Sequence, residues 1–420
     1  MTGIIAFLIV FGILVVVHEF GHFWMAKKAG VRIREFAIGM GPKLFQTRKG
    51  GVTYTIRILP VGGYVRMAGR AEIDVDELQP GMAVNLQVED QEVLRINLSE
   101  RTDLLANRTF IVDQADLVDQ LLLQGYWEED DQTYITLAVN HDAVKIEQDG
   151  TEVLIAPRDT HFESAKLWQR ALINFAGPLM NFILAVVVFL GLAFAMPGVS
   201  TTTVGTVQQN SPAAKSGLQV GDKITAINGQ HIASWSKLQE TIQSKPNKKV
   251  TLEVQRNQKL VDLSVMVKAV KQDGQTYGQV GIVPKQSTAV ADRLNYGIST
   301  TGRAFTTIWS ALRNLGQGGF SLNKLGGPVS IYKNTATVAT FGILSVISFM
   351  AWLSVNLGLM NLLPIPGLDG GKLLLNLVEA IMRKPIPEKV ETTVTIVGAG
   401  FLVILMLAVT GNDIFRYFIR

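Results

Sequence analysis

The stretch FGILVVVHEFGHFW, residues 11–24, places two histidines and a glutamate within an otherwise apolar run. The run starts at Met1 and stays mostly apolar to Ala26, and a transmembrane helix needs about 20 such residues. Ionisable side chains are costly in hydrocarbon and persist there mainly where they line a protein interior or a polar cavity. We therefore predict that residues 1–26 form a transmembrane helix with a functional site inside it.

The ionisable residues of this helix have the spacing HExxH. His18 and His22 lie one helical turn apart on the same face, where both can bind one Zn²⁺ ion. Glu19 lies beside them and is placed to act as the general base on the attacking water. The alternative is a structural hydrogen-bonded cluster between helices, which the location inside a span disfavours. The spacing therefore predicts a catalytic zinc site.

A catalytic zinc ion has three protein ligands and one open position, so the two histidines need a further partner. The stretch NLLPIPGLDGG, residues 361–371, ends the third apolar segment of the chain. Pro364 and Pro366 break a helix there, and irregular backbone at membrane depth is tolerated only beside protein or a polar cavity. We therefore predict Asp369 as the third ligand. The alternative is that Asp369 is an interfacial charge that ends a span.

The sequence contains no cysteine, which excludes a disulfide scaffold, a thiol nucleophile and a Cys-ligated metal. The other histidines lie outside the apolar segments. His141 and His161 lie in an acidic segment, and His231 lies in a later polar segment. We interpret each of them as an ordinary surface or packing residue.

The composition is that of a membrane protein. Of 420 residues, 48% are hydrophobic and 18% are charged, and 39 Lys and Arg against 35 Asp and Glu leave a net charge of +4. We predict four transmembrane helices, at residues 1–26, 171–197, 341–371 and 392–412. The first has no basic region before it and no small-residue cleavage site after it, so we expect it to stay attached.

Lysine and arginine at the span ends predict the orientation of the protein, because these residues concentrate on the cytoplasmic side. The crowded span ends carry Lys27, Lys28, Arg32, Arg34, Lys166, Arg170, Lys372, Arg383, Lys384 and Lys389. Both termini are therefore predicted to be extracytoplasmic. The segment 71–165, with 22 acidic and 5 basic residues, is then cytoplasmic, and the segment 200–285 is extracytoplasmic.

The segments between the spans differ in pattern. Residues 31–70 alternate apolar and polar side chains around a Gly-Gly turn at 50–51, which predicts a curved β-hairpin. We expect the acidic segment 71–165 to be a solvated α/β insert. Turn signals in 200–285 predict a sheet with one or two short helices. Residues 289–325 predict an amphipathic helix that lies on the outer face of the membrane or packs against the preceding domain.

Together these motifs resemble the site-2 protease family of intramembrane zinc metalloproteases, in particular bacterial members with a single PDZ domain of the kind found in Gram-positive bacteria. The resemblance runs over nearly the whole chain and includes HEFGH, FAIGMGP, ILPVGGYVRMAG, NFAGPLMNF, SGLQVGDKITAING, LGGPVSIY and NLLPIPGLDGG. It implies that His18, His22 and Asp369 are the zinc ligands and that Glu19 is the general base. It also implies that Asn361 binds the substrate backbone.

The resemblance further implies that the β-hairpin at 31–70 is associated with the membrane and offers a strand edge to an extended substrate. A plain cytoplasmic hairpin is the alternative. It implies a PDZ-like domain at 200–285 that binds peptide C-termini by strand addition, with a spacer as the alternative. The implied substrates are single-span membrane proteins already trimmed by another protease, such as anti-sigma factors, or remnant signal peptides, including pheromone precursors. It implies no defined role for the acidic segment.

We therefore expect a polytopic α-helical protein of the bacterial cell membrane with four transmembrane helices, a membrane-associated β-hairpin, a cytoplasmic acidic α/β insert and an extracytoplasmic PDZ-like α+β domain. Its expected activity is zinc-dependent hydrolysis of peptide bonds within the bilayer. The alternative function is a non-catalytic PDZ-containing membrane scaffold. The absence of a paired hydropathy repeat disfavours a transporter. The large acidic segment argues against nucleic-acid binding.

Overall fold

Four helices are long and apolar enough to cross a membrane by length and composition, as the sequence predicts: Gly3–Lys28, Leu167–Ala195, Ile343–Asn361 and Lys389–Phe418. The structure is a computed structural model that describes residues 2–69, 78–99, 108–148, 150–272, 275–317 and 326–419. The first helix forms despite its run of β-branched valines, because every backbone polar group in lipid must be satisfied within the segment.

The helices, in chain order, are α1 Thr2–Lys28, α2 Leu167–Ala195, α3 Pro212–Lys215, α4 Trp235–Gln243, α5 Val290–Gly316, α6 Pro328–Ala339, α7 Ile343–Asn361, α8 Asp369–Met382 and α9 Glu388–Ile414. The strands are β1 Ile33–Lys49, β2 Val52–Met67, β3 Ala83–Glu89, β4 Glu92–Asn97, β5 Arg108–Asp116, β6 Leu122–Trp127, β7 Asp130–Ile146, β8 Glu152–Leu154, β9 Val199–Val207, β10 Lys223–Ile227, β11 Gln230–His231, β12 Lys249–Arg256, β13 Lys259–Met266, β14 Lys268–Gln272, β15 Gln275–Gln279 and β16 Ile282–Ser287.

The chain divides into two compact units. The first comprises Met1–Asn181, Leu322–Ala336 and Leu357–Arg420, and the second comprises Phe182–Ser321 and Thr337–Asn356. The candidate zinc-site residues all fall in the first unit, and the segment predicted to be PDZ-like falls in the second.

In the first unit, β1 and β2 pair around the Gly-Gly turn but curl more than a simple hairpin does. The start of β1, at 35–38, pairs with β2 at 53–56 on one side and with β2 at 63–66 on the other. Repeated register shifts accompany this bend, as β-bulges do in strongly curved strands. The two long strands therefore make a small sheet of four segments, with residues 63–67 at one of its edges.

The acidic segment forms an antiparallel sheet with the strand order β4-β3-β5-β6-β7-β8, and β4 also pairs in parallel with β7, which closes the sheet. Its core is apolar and includes Leu86, Ile96, Phe110 and Leu123. The predicted α/β character is wrong for the described part of this insert, which is β apart from two short 3-10 helices. Alternation of buried and exposed residues along these strands is the feature that indicates a sheet.

The region predicted as one span at 341–371 is two helices. Helix α7 ends at Asn361, and α8 begins at Asp369 after an irregular turn that contains both prolines. An added Cβ at Gly370 would collide with the carbonyl groups of Leu362 and Leu363. The glycines of this motif therefore allow the turn to fold back onto the first turn of α8.

In the second unit, five strands form the sheet β13-β12-β10-β9-β16, and β11 pairs with β10. Helix α4 packs its buried face, which includes Leu238 and Ile242, into the apolar core of this sheet. This arrangement has the sheet and two short helices that the sequence predicts for 200–285. Strands β14 and β15 form a separate hairpin.

The amphipathic segment forms helix α5, which contacts other parts of its own unit. Arg293 donates hydrogen bonds to the carbonyl groups of Ala193 and Phe194 at the end of α2, at 2.6 and 2.7 Å. The Asn295 side chain donates to the carbonyl of Ala233, just before α4. These contacts tie α5 to the end of α2 and to the residues before α4, and its place on the outer face of the membrane stays a prediction. Parts of two predicted segments lie outside the described residues. They are 71–77 and 101–107 of the acidic segment and 318–325 of the amphipathic segment.

Candidate metal centre and active site

The side chains of His18, His22 and Asp369 meet in the first unit. The Asp369 Oδ2 atom lies 3.1 Å from His18 Nε2 and 3.3 Å from His22 Nε2, and the two Nε2 atoms lie 3.3 Å apart. The three residues are only 7%, 8% and 9% exposed. Among the described residues, this is the one group of three or more His, Asp or Glu side chains with the geometry to hold a metal ion.

The spacing of these three atoms fits zinc. Zn–N and Zn–O bonds of about 2.0–2.1 Å in a tetrahedron place neighbouring ligand atoms about 3.3–3.4 Å apart. Asp369 Oδ2 is also buried without a hydrogen-bond partner within the described part of the chain, which is costly unless a cation binds there. Two imidazole nitrogens and one carboxylate oxygen are a ligand set that zinc accepts, with a fourth position left for water.

Helix α2 supports both histidine rings from behind. The Nδ1 atom of His22 donates a hydrogen bond of 2.7 Å to the carbonyl of Ile173, and the amide of Asn181 lies 3.2 Å from Nδ1 of His18. Gly177 lies between these two contacts, and an added Cβ there would collide with the rings of both histidines. The stretch INFAGPLMN, residues 173–181 of α2, therefore provides a close backbone approach and two polar contacts to the rings of the predicted ligands.

The three predicted ligands and Glu19 line a cavity of about 910 Å³. Asn361, the last residue of α7, lines the same cavity. The wall on one side is the β2 edge with the residues that follow it, 63–69. The structure thus brings all five sequence-predicted site residues to one cavity that is large enough for a peptide segment.

A polar network fixes the strand edge beside the cavity. Arg57 donates to the carboxylate of Glu35 at 3.0 Å and to the hydroxyl of Tyr64 at 2.6 Å. Burial opposes ionisation of Glu35, but the adjacent hydroxyl groups of Thr55 and Tyr64 and the guanidinium of Arg57 outweigh it and lower the pKa of this carboxyl group. The network ties the start of β1 to two separate parts of β2 and so maintains the curl of the sheet.

The remaining histidines lie outside the candidate metal centre, as predicted from the sequence. His141 is exposed and lies 3.0 Å from the Asp159 carboxylate. His161 is buried and lies 2.9 Å from the carbonyl of Ala156. His231 is exposed in the second unit.

Sequence reasoning did not identify several residues that line the cavity. They come from four different elements, β2, α2, α8 and α9, and include Tyr64, Arg66, Asn174, Lys372, Asn376 and Glu391. One local signal was available, because Asp369, Lys372 and Asn376 have the spacing of one helical face. That signal has meaning only once α8 is known to start at Asp369.

Comparisons with known proteins identify the family of the chain. Residues 6–405 match the model of peptidase family M50. The protein named "Probable protease eep" of Enterococcus faecalis is 47% identical, with 100% of both chains covered. A Streptococcus pyogenes serotype M6 protein named "Putative zinc metalloprotease" is 46% identical over 100% of both chains.

A solved PDZ domain of an SdrC-like protein from Listeria innocua is 27% identical over 21% of this chain and 96% of its own. Its TM-score of 0.18 is too low to establish a common fold. The family match and the full-length relatives, in contrast, cover the span with the HExxH spacing and the turn with Asp369. The chain therefore belongs to peptidase family M50 and is a zinc-dependent metalloprotease with membrane-type helices.

Proposed function

We propose that this protein hydrolyses peptide bonds within the transmembrane segments of its substrates, with His18, His22 and Asp369 as the zinc ligands. The observation that carries the proposal is the buried group of three predicted ligands, two of which, His18 and His22, lie inside an apolar helix long enough to cross a membrane. A metal centre at that depth acts on a bond that is itself within the bilayer. The zinc ion, when bound, supplies Lewis acidity and activates water.

Glu19 is the general base in this proposal. Its carboxylate takes a proton from the attacking water and returns that proton to the leaving amine. Its position fits this role, because Glu19 follows His18 directly and faces the cavity that the ligands line. The neighbouring carboxylate Asp369 has a different task, since its Oδ2 atom points at both imidazoles.

The substrate binds in an extended conformation along the β2 edge. A helical peptide bond hides its carbonyl in a hydrogen bond, whereas an added strand presents the bond unwound. Residues 63–67 border the cavity and pair with β1 on one side, so strand addition would place a peptide beside the ligands. Asn361 lines the same cavity and is the proposed side-chain contact to the substrate backbone.

The proposed substrates are single-span membrane proteins trimmed by another protease, such as anti-sigma factors, or remnant signal peptides. The domain at 200–285 is proposed to be PDZ-like and to bind peptide C-termini. The proposed topology places both termini and this domain outside the cell and the acidic insert in the cytoplasm. Lys and Arg are concentrated at the span ends that this topology places in the cytoplasm, which supports the orientation.

The test of the proposed base is the Glu19→Gln variant. We expect it to retain zinc and to lose cleavage of a membrane-embedded reporter by at least about 100-fold, since general-base catalysis contributes on that order. Zinc content and reporter cleavage are measured on the same purified sample. Wild-type cleavage by this variant would refute the assignment of Glu19.

The ligand assignment is tested separately with His18→Ala and Asp369→Ala, and His231→Ala serves as the exposed-histidine control. We expect the first two variants to lose zinc and the control to keep it. Unchanged zinc in both ligand variants would refute the ligand set. A non-catalytic scaffold predicts no bound zinc in the wild-type protein and no response to Glu19→Gln.

A further inference from the structure

The polar contacts behind the two histidines come from one face of one helix. Ile173, Gly177 and Asn181 are spaced four residues apart, so they lie above one another along α2. His18 and His22 have the same spacing on α1. Each ring therefore contacts a different turn of α2. His22 contacts the carbonyl of Ile173, and His18 contacts the amide of Asn181.

Metal binding by a histidine ring determines whether the group beside its other nitrogen must donate or accept a hydrogen bond. A histidine that binds a metal through Nε2 carries its proton on Nδ1, so Nδ1 becomes a hydrogen-bond donor. The Ile173 carbonyl is an acceptor and suits His22 directly. Asn181 can also accept, because turning its amide by half a rotation exchanges the NH₂ group for the oxygen at the same position.

We propose that Asn181 is a positioning residue for the metal centre, with its side-chain oxygen accepting a hydrogen bond from Nδ1 of His18. Asn181 is fully buried at 0% exposure, so water does not compete for this contact. The bond fixes the tautomer and the ring plane of His18 and directs its Nε2 lone pair at the metal. The proposal rests on the proposed function, because it requires His18 to be a ligand.

The two rings are held by different kinds of group, His22 by a backbone carbonyl and His18 by a side-chain amide. His22 is held by a carbonyl that no substitution of Ile173 removes, whereas His18 depends on the identity of residue 181. The absence of a side chain at Gly177 lets both rings approach α2 closely enough for these bonds. Substitution at Asn181 is therefore the direct way to perturb one ligand without changing any ligand atom.

The test compares zinc affinity of the full-length protein in detergent by competition with a chelator of known affinity. Asn181→Leu keeps the size of the side chain but removes its acceptor, and we expect its zinc affinity to fall about 10- to 100-fold. Asn181→Asp keeps an acceptor oxygen, and we expect wild-type or higher affinity. Leu179→Ala, at an exposed position of the same helix, is the control and should bind zinc as the wild type does.

The outcomes separate this inference from the proposed function. If the wild type binds zinc and Asn181→Leu binds it equally well, the positioning role is refuted while the metal centre stands. Equal weakening in the Leu and Asp variants would also refute it, since the acceptor would then be irrelevant. If the wild type binds no zinc, the proposed function itself fails. Should Asn181→Leu not fold, Asn181→Ala, which also lacks an acceptor, replaces it, and unchanged affinity in that variant refutes the role.

Discussion

At the residue scale, the proposed metal centre depends on how closely α2 approaches the two histidines. The α2 residue between the polar contacts is Gly177, and both rings occupy the space that a side chain there would need. A side chain at this position would therefore disturb the two predicted ligands as directly as a substitution of a ligand itself. This constraint also explains why a glycine of the stretch NFAGPLMN lies opposite the histidines of HEFGH.

We predict that Gly177→Ala displaces the rings of His18 and His22 and lowers the rate of hydrolysis by about 100-fold, as misplacement of a catalytic group by about 1 Å can do. Zinc affinity should fall as well. The measurement is reporter cleavage together with zinc content of the purified protein.

The matched control is Gly191→Ala in the same helix, where an added Cβ meets no atom within 4 Å. This variant should be as active as the wild type, because alanine favours a helix over glycine. Equal activity of the two variants would contradict the proposed close approach of α2.

At the scale of elements, a buried carboxylate on α9 caps the start of α6. Asp413 is 1% exposed and accepts hydrogen bonds from the backbone N–H groups of Gly327 and Ser330, at 3.0 and 2.9 Å, and from the Ser330 hydroxyl at 2.9 Å. The first N–H groups of a helix lack partners within the helix and attract negative charge. The stretch GGPVSIY, residues 326–332, thus contains a helix start that receives its cap from another helix.

We predict that Asp413→Ala destabilises the protein by about 1–3 kcal/mol, because it leaves buried donors without an acceptor. Asp413→Asn, which keeps one acceptor oxygen, should lose less. Thermal unfolding in detergent measures both variants. Thr393→Ala, an exposed position on α9, is the control, and a melting temperature of Asp413→Ala equal to that of the control would contradict the cap.

A second element-scale contact is the ion pair of the 200–285 domain. Asp222 is 1% exposed and accepts hydrogen bonds from Nε and Nη2 of Arg256, both at 2.7 Å, and from the Gln219 N–H at 2.8 Å. Burial alone would raise the pKa of Asp222, but these hydrogen bonds and the Arg256 charge outweigh it and lower the pKa below its ordinary value of 3.8.

This lowered pKa predicts a pH dependence of stability with a definite sign. The unfolded chain binds a proton at Asp222 more readily than the folded one, so the stabilisation is complete above pH 3.8 and is lost as the pH falls through the folded-state pKa. Asp222→Asn should therefore be less stable than the wild type at pH 6 and approach it in acid below pH 3.8.

Hydrogen exchange of β10 and β12, compared between the two proteins at each pH, measures the effect. If Asp222→Asn were less stable than the wild type by the same amount at pH 6 and below pH 3.8, the ionic origin of the stabilisation would be contradicted. Asp262→Asn, an exposed position on β13, is the matched control.

At the scale of the whole molecule, the proposed topology is open to a direct test because the chain has no cysteine. Gln243→Cys places one thiol on α4, and Gln148→Cys places one in the acidic insert; both positions are exposed. We predict that a membrane-impermeant maleimide labels the first variant in intact cells and the second only after permeabilisation. The reverse pattern would invert the orientation and place the basic span ends outside the cytoplasm.

The chemistry and the spans could be predicted from the sequence because both are local properties. A hydrophobic run of sufficient length predicts a membrane helix, and the four-residue spacing of His18 and His22 puts both rings on one helical face. The break at Pro364 and Pro366 was also predictable from the loss of backbone donors. The start of a separate helix at Asp369 was not, because it depends on the turn folding back over Gly370.

The architecture of the insert was not predictable in the same way. Composition indicates a solvated acidic segment, but it does not distinguish an α/β from a β fold, since net charge reports on solubility and not on topology. The parallel pairing of β4 with β7 that closes the sheet joins strands that are not neighbours in the chain. Such a pairing depends on the whole sheet and on its shared core.

The sequence by itself determined the type of chemistry, the membrane setting and the set of predicted ligands. Only the tertiary structure decided how the site is assembled, because Asp369 reaches the histidines through the packing of distant helices. The same packing puts the Asn181 amide and the Ile173 carbonyl behind the two rings and brings the curled edge of β2 to the cavity. These contacts join residues far apart in the chain, and no local periodicity encodes them.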